Sequence, residues 1–548
     1  MRFTSAAGSV LGREAVRELD ARTIAGGTAS LVLMERAGEA LAAFVADAAA
    51  SGVQLPAAGA AARLLVVAGR GNNGGDGFVV ARLLAASGWH CAVALAGAQP
   101  APGADAAFQF AEWRRAGGTV VGPGELVGIL SGGAGGFDLG LDAIFGTGLA
   151  RNVEGPDADL IHCMNHSGLP MIAADIPSGL CSDTGRPLGV AVRARATLAI
   201  GVAKPGLFLA EGPDFSGRIQ VADIGLLDPA TTDRCGVVLS HATMASSWPR
   251  LARLAHKGSR GHVLIVAGSR GKTGAAVLAA RAALRAGAGL VTVASVAEVQ
   301  AAVAAALPEA MTAEVAADCD GRIDRAGVAA LVSAASTADA IVVGPGLGTG
   351  AGAQAAVEAL IAAATPLILD ADALNVVAGW SHDRRAGVFA ARISAGAPPP
   401  VLTPHPGEMG RLCGQSTAEI QQKRDEIARK LAKQLGAVVV LKGAATIVSH
   451  AGRTAYNLSG NPGMASAGMG DVLSGICGAL AARKTGAEAA APGAASGGES
   501  LDPFDRACLA VFVHGAAGDH LAAQAGPGFL AGELADRVPA ELARLLPR

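Results

Sequence analysis

The stretch Gly463-Met464-Ala465-Ser466-Ala467-Gly468-Met469-Gly470-Asp471-Val472-Leu473-Ser474-Gly475 sets one carboxylate among glycines, just ahead of an apolar run. Glycines let backbone N–H groups converge, and the apolar residues that follow predict a buried helix. A helix opening there aims free N–H groups and a partial positive charge at whatever lies in front of it. Asp471 in that mouth is placed to take a proton from a hydroxyl that is receiving a phosphoryl group. Asp is also a favoured helix N-cap, which is the competing structural reading.

Four further motifs in the second half carry groups of the same kind. Gly344-Pro345-Gly346-Leu347-Gly348 follows an apolar run and gives a backbone-rich turn. Leu369-Asp370-Ala371-Asp372-Ala373-Leu374-Asn375 sets two acids just past another such run. Thr403-Pro404-His405-Pro406-Gly407-Glu408 holds a histidine between two prolines, a stiff loop able to present an imidazole or simply a solvent-facing turn. Leu441-Lys442-Gly443-Ala444-Ala445-Thr446 offers a lysine and N–H groups at a strand end. Gly268-Ser269-Arg270-Gly271-Lys272-Thr273 is not a phosphate-binding P-loop, because Val266 stands where the first glycine is required.

In the first half, Gly69-Arg70-Gly71-Asn72-Asn73-Gly74-Gly75-Asp76-Gly77 satisfies G-x-G-x-x-G behind an apolar strand. A dinucleotide fold also needs an acid at the end of the next strand to hold the ribose, and Ala96-Gly97 stands there. The two asparagines and the aspartate read instead as directional groups for a polar ligand or a cation. Asp142-Ala143-Ile144-Phe145-Gly146-Thr147-Gly148-Leu149-Ala150-Arg151 and Asp175-Ile176-Pro177-Ser178-Gly179-Leu180 each set an acid at the end of an apolar strand, ahead of a glycine turn. Strand ends are where open α/β sheets gather ligands.

The elements that must position these residues alternate. Leu64–Ala68, Cys91–Leu95 and Met171–Ala174 read as buried parallel strands, and the pattern restarts with His262–Ala267, Ala340–Val343, Leu367–Leu369 and Ala437–Leu441. Strands alternating with helices in both halves predict two α/β domains. The break in rhythm between Leu226 and Lys257 marks the junction, giving domains over 1–228 and 257–548 with a linker over 229–256. Gly486 to Ser500, rich in Ala, Gly and Ser, is expected to be a flexible loop.

Bulk properties narrow the function classes. A chain of 548 residues suits two or three domains, and 51% hydrophobic residues supply large cores. With 3% aromatics and 76 glycines, those cores are built from small aliphatic side chains. A net charge of −2 argues against nucleic-acid binding. No apolar run approaches the roughly 18 residues that span a bilayer, and Met1-Arg2-Phe3-Thr4 is followed by no secretory h-region. Eight scattered cysteines without a CxxC pair read as buried thiols in a reducing compartment, so a cytoplasmic protein is expected.

Taken together, Leu33-Met34-Glu35-Arg36-Ala37-Gly38, Gly71 to Gly77, Asp142 to Arg151, Asp175 to Leu180, Asp183-Thr184-Gly185 and Lys204-Pro205-Gly206 closely resemble the NAD(P)H-hydrate epimerase domain, across almost the whole first half. The resemblance implies a Rossmann-like αβα sandwich that interconverts the R and S hydrates of NADH and NADPH. It implies that Asn72, Asn73, Gly74, Gly75, Asp76, Gly146, Thr147, Gly148, Leu149, Ala150, Arg151, Asn152 and Asp175 line the hydrate site. Asn73, Asp142 and Ser178 are implied as ligands of a potassium ion, and oxygen donors suit a hard cation. Asp76 and Asp175 are both candidates for the proton transfer.

From about Lys257 onward the chain resembles the ADP/ATP-dependent NAD(P)H-hydrate dehydratase of the ribokinase-like superfamily. The likeness rests on Gly258, Gly271-Lys272-Thr273-Gly274-Ala275-Ala276, the four motifs above, Gly468 to Asp471, and Val513-His514-Gly515-Ala516-Ala517-Gly518-Asp519. It implies a ribokinase-like αβα domain in which Ala276, Gly346, His405 and Asp471 meet the hydrate. Lys442, Gly443, Ala444, Ala445, Thr446 and Gly470 would meet ADP or ATP, with Mg2+ accompanying the nucleotide. Met469 departs from the small or hydroxylated residue usual at its place. Asp471 is expected to be the catalytic base, and a homo-oligomer is expected because Ala-rich helices bury faces against partners. The competing functions are a small-molecule kinase, a first half that only docks ligands, and a dehydrogenase, the last disfavoured by Ala96-Gly97.

Overall fold

A computed structural model of the chain describes residues 8–47, 61–132, 136–229, 234–245, 256–484 and 501–546. The stretch from Gly486 to Ser500 therefore lies outside the described residues. Two compact units divide the chain, one running from Arg2 to Val238 and the other from Leu239 to Arg548. Within the expected 229–256 linker, residues Arg234–Leu239 form a strand.

In the first unit, β1 (Ser9–Leu11) precedes β2 (Arg63–Ala68), β3 (His90–Leu95), β4 (Thr119–Val121), β5 (Leu139–Ala143), β6 (Met171–Ala174), β7 (Ala196–Ile200), β8 (Arg218–Ala222) and β9 (Arg234–Leu239). β2 to β8 make one sheet in the order β4-β3-β2-β5-β6-β7-β8, every pair parallel. β1 and β9 pair antiparallel, with Ser9 opposite Val237. β2 carries an unbroken Leu, Val and Ala run and β5 is buried along its whole length, as a helix-covered parallel sheet requires. Strand order reverses about β2, whose neighbours are β3 and β5, so a crevice opens past the carboxyl ends of β2 and β5.

Helices Ser30–Ala46 and Asn72–Ala86 pack closely on this sheet. A Cβ added to Gly38 would fall 2.3 Å from Val79, so only glycine allows that approach. Glu35, between the same helices, accepts two bonds from Arg82 Nη2 (2.6 and 2.8 Å) and one from Gln109 (3.3 Å). The early Leu33–Gly38 motif is thus a packing device.

The second unit contains β10 (His262–Val266), β11 (Leu290–Ser295), β12 (Met311–Glu314), β13 (Ala340–Val343), β14 (Leu367–Leu369), β15 (Val401–Leu402), β16 (Val438–Leu441), β17 (Thr446–His450) and β18 (Arg453–Asn457). They run in the order β18-β17-β16-β15-β14-β13-β10-β11-β12. β10 to β16 are parallel, whereas β16, β17 and β18 form an antiparallel meander. Here the order reverses about β10, beside β13. Helices Thr273–Arg285 and Met469–Ala482 cross on the sheet through small residues. A Cβ on Gly475 would lie 2.1 Å from the Ala279 carbonyl oxygen.

Candidate active sites

In the N-terminal unit the switch point gathers the predicted residues. The helix after β2 begins at Asn72, so Asn72 to Gly77 are its first turns and not the open loop that the glycines suggested. Asn72 is exposed and Asn73 is 8% exposed. Neither the amide nitrogen nor the amide oxygen of Asn73 has a hydrogen-bond partner among the described residues. A buried amide left unpaired costs free energy unless something else satisfies it. Gly146 faces it: a Cβ there would stand 3.5 Å from Asn73 Cγ and 3.5 Å from Asp175 Oδ2. Gly148, Ala150, Arg151 and Asn152 are exposed and form the rim, with Thr147 and Leu149 half-buried between them.

Asp142, fully buried at the end of β5, accepts from Ser178 N (2.7 Å), Ser178 Oγ (2.6 Å) and Ile144 N (3.3 Å). Burial pushes its carboxyl up to about 6, against the lowering effect of the Ser178 hydrogen bonds. Asp175, just past β6, holds a left-handed φ of 67°. Such strain in a non-glycine residue clusters at functional sites. Its Oδ1 accepts from Ile200 N (3.1 Å) and from the ammonium of Lys204, which is 1% exposed. Asp76 is pushed well above the ordinary carboxyl range, first by burial and then by Asp175 and Asp20, with Lys204 opposing.

Two members of this cluster stand outside the residues assigned from sequence. Lys204 belonged to a quoted motif without a role. Asp20, on helix Arg13–Ala25, is raised to about 6 by burial, with Lys204 lowering it and Asp175 adding to the rise. Its helix is fastened to the site loops, since Arg13 N donates to Asp183 Oδ1 (2.7 Å) and Arg13 Nη1 to the Leu149 carbonyl (3.2 Å). Nothing in the local sequence around Asp20 distinguishes it from a surface acid.

In the C-terminal unit Asp471 is the third residue of helix Met469–Ala482, whose N-cap is Gly468 at φ 88°. Asp471 is therefore not the cap, and its carboxylate sits in the helix mouth. Its pKa is raised to about 6 by burial and then by Asp370, with Lys442 pulling it down. Lys442 Nζ bonds Asp370 Oδ1 at 2.8 Å and stands 3.9 Å from Glu408 Oε2. A Cβ on Gly470 would be 3.2 Å from Lys442 Nζ, so the lysine lies against the backbone that opens the helix. Met469 is 5% exposed, and its carbonyl accepts from His514 Nε2 (3.0 Å). His514 is pushed down to about 4, chiefly by burial, so it is a neutral donor.

The adjacent strand ends complete the cleft. His405 caps helix Pro406–Cys413: its Nδ1 accepts from Gly407 N (3.0 Å) and Glu408 N (3.4 Å), while Glu408 Oε2 accepts from His405 N (2.8 Å). The imidazole is half exposed, which leaves Nε2 available to a ligand although 3.4 Å from Glu408. Lys442 N donates to the Pro404 carbonyl, tying this loop to the 442–446 turn. Beneath that turn, buried Arg424 donates to the carbonyls of Leu441, Lys442 and Ala445. Asp372 accepts from Gly348 N (2.8 Å) and pairs with Lys272 (3.2 Å). Gly346 sits at φ 63°, and its carbonyl accepts from buried Ser269 Oγ (2.7 Å). Ala276 is fully buried beneath Gly268, so it forms floor and presents no exposed group.

Two doubly wound α/β units, each with acids and glycine turns at its switch point, define a two-site enzyme acting on small polar molecules. The family model described as NAD(P)H-hydrate dehydratase matches residues 263–540, and that described as YjeF-related protein N-terminus matches 30–206. The bifunctional NAD(P)H-hydrate repair enzyme of Moorella thermoacetica is 38% identical over 88% of this chain and 88% of its own length. The Escherichia coli enzyme of the same name is 37% identical over 86% of this chain and 83% of its own. An ADP/ATP-dependent NAD(P)H-hydrate dehydratase from Bacillus subtilis, co-crystallised with ATP/Mg2+, is 31% identical, with a TM-score of 0.46, over 56% of this chain and 97% of its own. The chain belongs to the family of bifunctional NAD(P)H-hydrate repair enzymes. Among the described residues no helix is long and apolar enough to cross a membrane.

Proposed function

We propose that the two activities of this family sit one in each compact unit, at the two switch points described above. The chain is a bifunctional nicotinamide-nucleotide repair enzyme. The first unit interconverts R- and S-NAD(P)H hydrate. The second dehydrates the S form to NAD(P)H at the expense of ADP or ATP, giving phosphate and AMP or ADP. We assign epimerisation to the segment ending at Val238 and dehydration to the segment from Leu239 onward.

The second reaction starts from a poor leaving group, hydroxide. Asp471 takes the proton from the hydrate hydroxyl, and that oxygen attacks the terminal phosphorus of the nucleotide. Helix-mouth N–H groups at Gly468 to Gly470, with Lys442, stabilise the charge on the transferred group. The ring nitrogen lone pair then expels phosphate to give an iminium, and loss of a proton from the neighbouring ring carbon restores the double bond. Lys442 to Thr446 cradle the nucleotide, and Mg2+ accompanies it as part of the co-substrate. His405 and the Gly346 turn meet the hydrate.

In the first unit the substrate carbon carries both a hydroxyl and the ring nitrogen. A base that removes the hydroxyl proton, with an acid that protonates nitrogen, opens the ring to an aldehyde. Rotation and reclosure on the other face invert the centre. Asp175 suits the base and Asp76, whose carboxyl is biased toward its protonated form by burial, suits the acid. The orphaned Asn73 amide, with Asp142 at the end of β5 and Ser178 in the turn after β6, fits a potassium ion. Bound there, the ion would supply positive charge beside the substrate oxygens. We also propose self-association, supported by exposed Ile24, Val32 and Leu227, and a cytoplasmic setting.

The carrying observation is Asp471 in the mouth of a glycine-capped helix beside Lys442. The test is Asp471→Asn assayed on S-NADH hydrate with ADP and with ATP. Turnover is expected to drop by about 10²- to 10⁴-fold, the range for a general base, with nucleotide affinity kept. Undiminished turnover overturns the assignment.

A further inference from the structure

We propose that Lys204 is the positioning residue of the N-terminal site: its ammonium ties down one oxygen of Asp175 so that only the other faces the substrate. The inference rests on reading Asp175 as the base of the epimerisation. Lys204 follows β7 and is 1% exposed. Its Nζ donates to Asp175 Oδ1 and to the Ile200 carbonyl (2.9 Å). Oδ1 also accepts from Ile200 N (3.1 Å), so it is saturated from behind. The hydrogen bonds Asp175 accepts among the described residues all go to Oδ1, and Oδ2 lies on the side of Gly146, 3.5 Å from where a Cβ there would stand. One oxygen anchors the group and the other is left for chemistry.

The backbone that carries Lys204 is itself clamped. Gly206 N donates to the Ser182 carbonyl (2.6 Å), and a Cβ on Gly206 would fall 2.1 Å from the Cys181 carbonyl oxygen. The ammonium thus reaches Asp175 from a fixed base. Stability alone does not call for it, because an apolar pair of similar volume commonly serves a core as well as a buried ion pair. Asp175 also holds a strained backbone conformation, which fits a side chain aimed for function.

The test uses the full chain with racemic NADH hydrate and ADP, following NADH. A fast phase consumes the S form, and a slow phase reports conversion of R to S. In Lys204→Met the slow phase is expected to lose about 100-fold in kcat, the cost of a misplaced reacting group, with KM little changed and the fast phase intact. In Asp175→Asn the slow phase collapses too, and adding Lys204→Met to it causes no further loss, because Lys204 acts only through Asp175.

If Lys204→Met keeps wild-type kcat while Asp175→Asn does not, the Lys204 inference falls and the reading of Asp175 stands. If Asp175→Asn keeps wild-type kcat, both fall. Losses that multiply in the double variant, or equal slowing of both phases, also overturn the inference. Lys204→Met leaves a buried carboxylate without its counter-ion and can fail to fold. In that event the double variant, which lacks both charges, decides against Asp175→Asn: equal residual rates support the inference and a further drop overturns it.

Discussion

A carboxylate serves as a general base when its pKa lies near the working pH, high enough to grip a proton and low enough to be ionised. Asp471, raised to about 6 by burial and by Asp370, meets both conditions. Because the shift is upward, the proton stays on below about pH 6, and the base forms as pH rises through that value. Dehydration of the S form should therefore fall about tenfold per unit below pH 6 and level off above it. A pH–rate profile under saturating nucleotide checks this, and a flat profile between pH 5 and 7 contradicts it. Gly146 allows a cleaner test of the other site. An added Cβ there meets Asn73 and Asp175 at 3.5 Å, ordinary contact, and so fills ligand space without a clash. Gly146→Ala should keep its stability within about 0.5 kcal/mol, as surface changes do, yet lose most epimerisation. Thermal unfolding alongside the slow-phase rate tests both halves of that statement.

At the scale of elements, the turn between β16 and β17 depends on one buried guanidinium. Arg424 serves the carbonyls of Leu441, Lys442 and Ala445, and burial holds its pKa down at about 10. Arg424→Met leaves those carbonyls unpaired and should cost about 3 kcal/mol, read from denaturant unfolding. It should also weaken nucleotide binding more than hydrate binding, which isothermal titration separates. The strands were legible in sequence because parallel strands buried on both faces read as unbroken Val, Leu and Ala runs, as in Leu64–Ala68 and Ala340–Val343. The start of helix Asn72–Ala86 was not, because Gly74, Gly75 and Gly77 are poor helix formers that the fold keeps for close approach. A Cβ on Gly74 would fall 1.9 Å from the Gly69 carbonyl oxygen. Asp76 and Asp175 could be named from their strand-end motifs, His405 from its place between two prolines, and Asp471 from the glycine turn that opens a helix. Asp20 could not, since its role arises from the docking of a helix some 150 residues away in sequence from Asp175. The pairing of Lys442 with Asp370 likewise depends on adjacent strands β14, β15 and β16, an order that linear sequence does not state.

At the scale of the molecule, the two compact units divide at Val238, inside the segment where the strand–helix rhythm breaks. Strand β9 supplies the antiparallel partner of β1 in the first unit. A fragment of residues 1–238 should therefore melt higher than one of residues 1–228, and both can be assayed for R-to-S conversion; equal melting temperatures would count against β9 as part of that fold. Joining the two activities in one chain suits a racemic substrate, because a dehydratase acting only on the S form leaves half of the damage behind. Dehydration by the second unit turns on hydroxyl phosphorylation followed by loss of phosphate. Its most direct test measures phosphate and NADH together while the whole chain turns over racemic NADH hydrate with ADP. One phosphate and one AMP are expected for every NADH, with complete consumption of both hydrates, and both products should form about 10²- to 10⁴-fold more slowly in Asp471→Asn. A stable phosphorylated hydrate without NADH, or NADH formed with no nucleotide consumed, would contradict this mechanism.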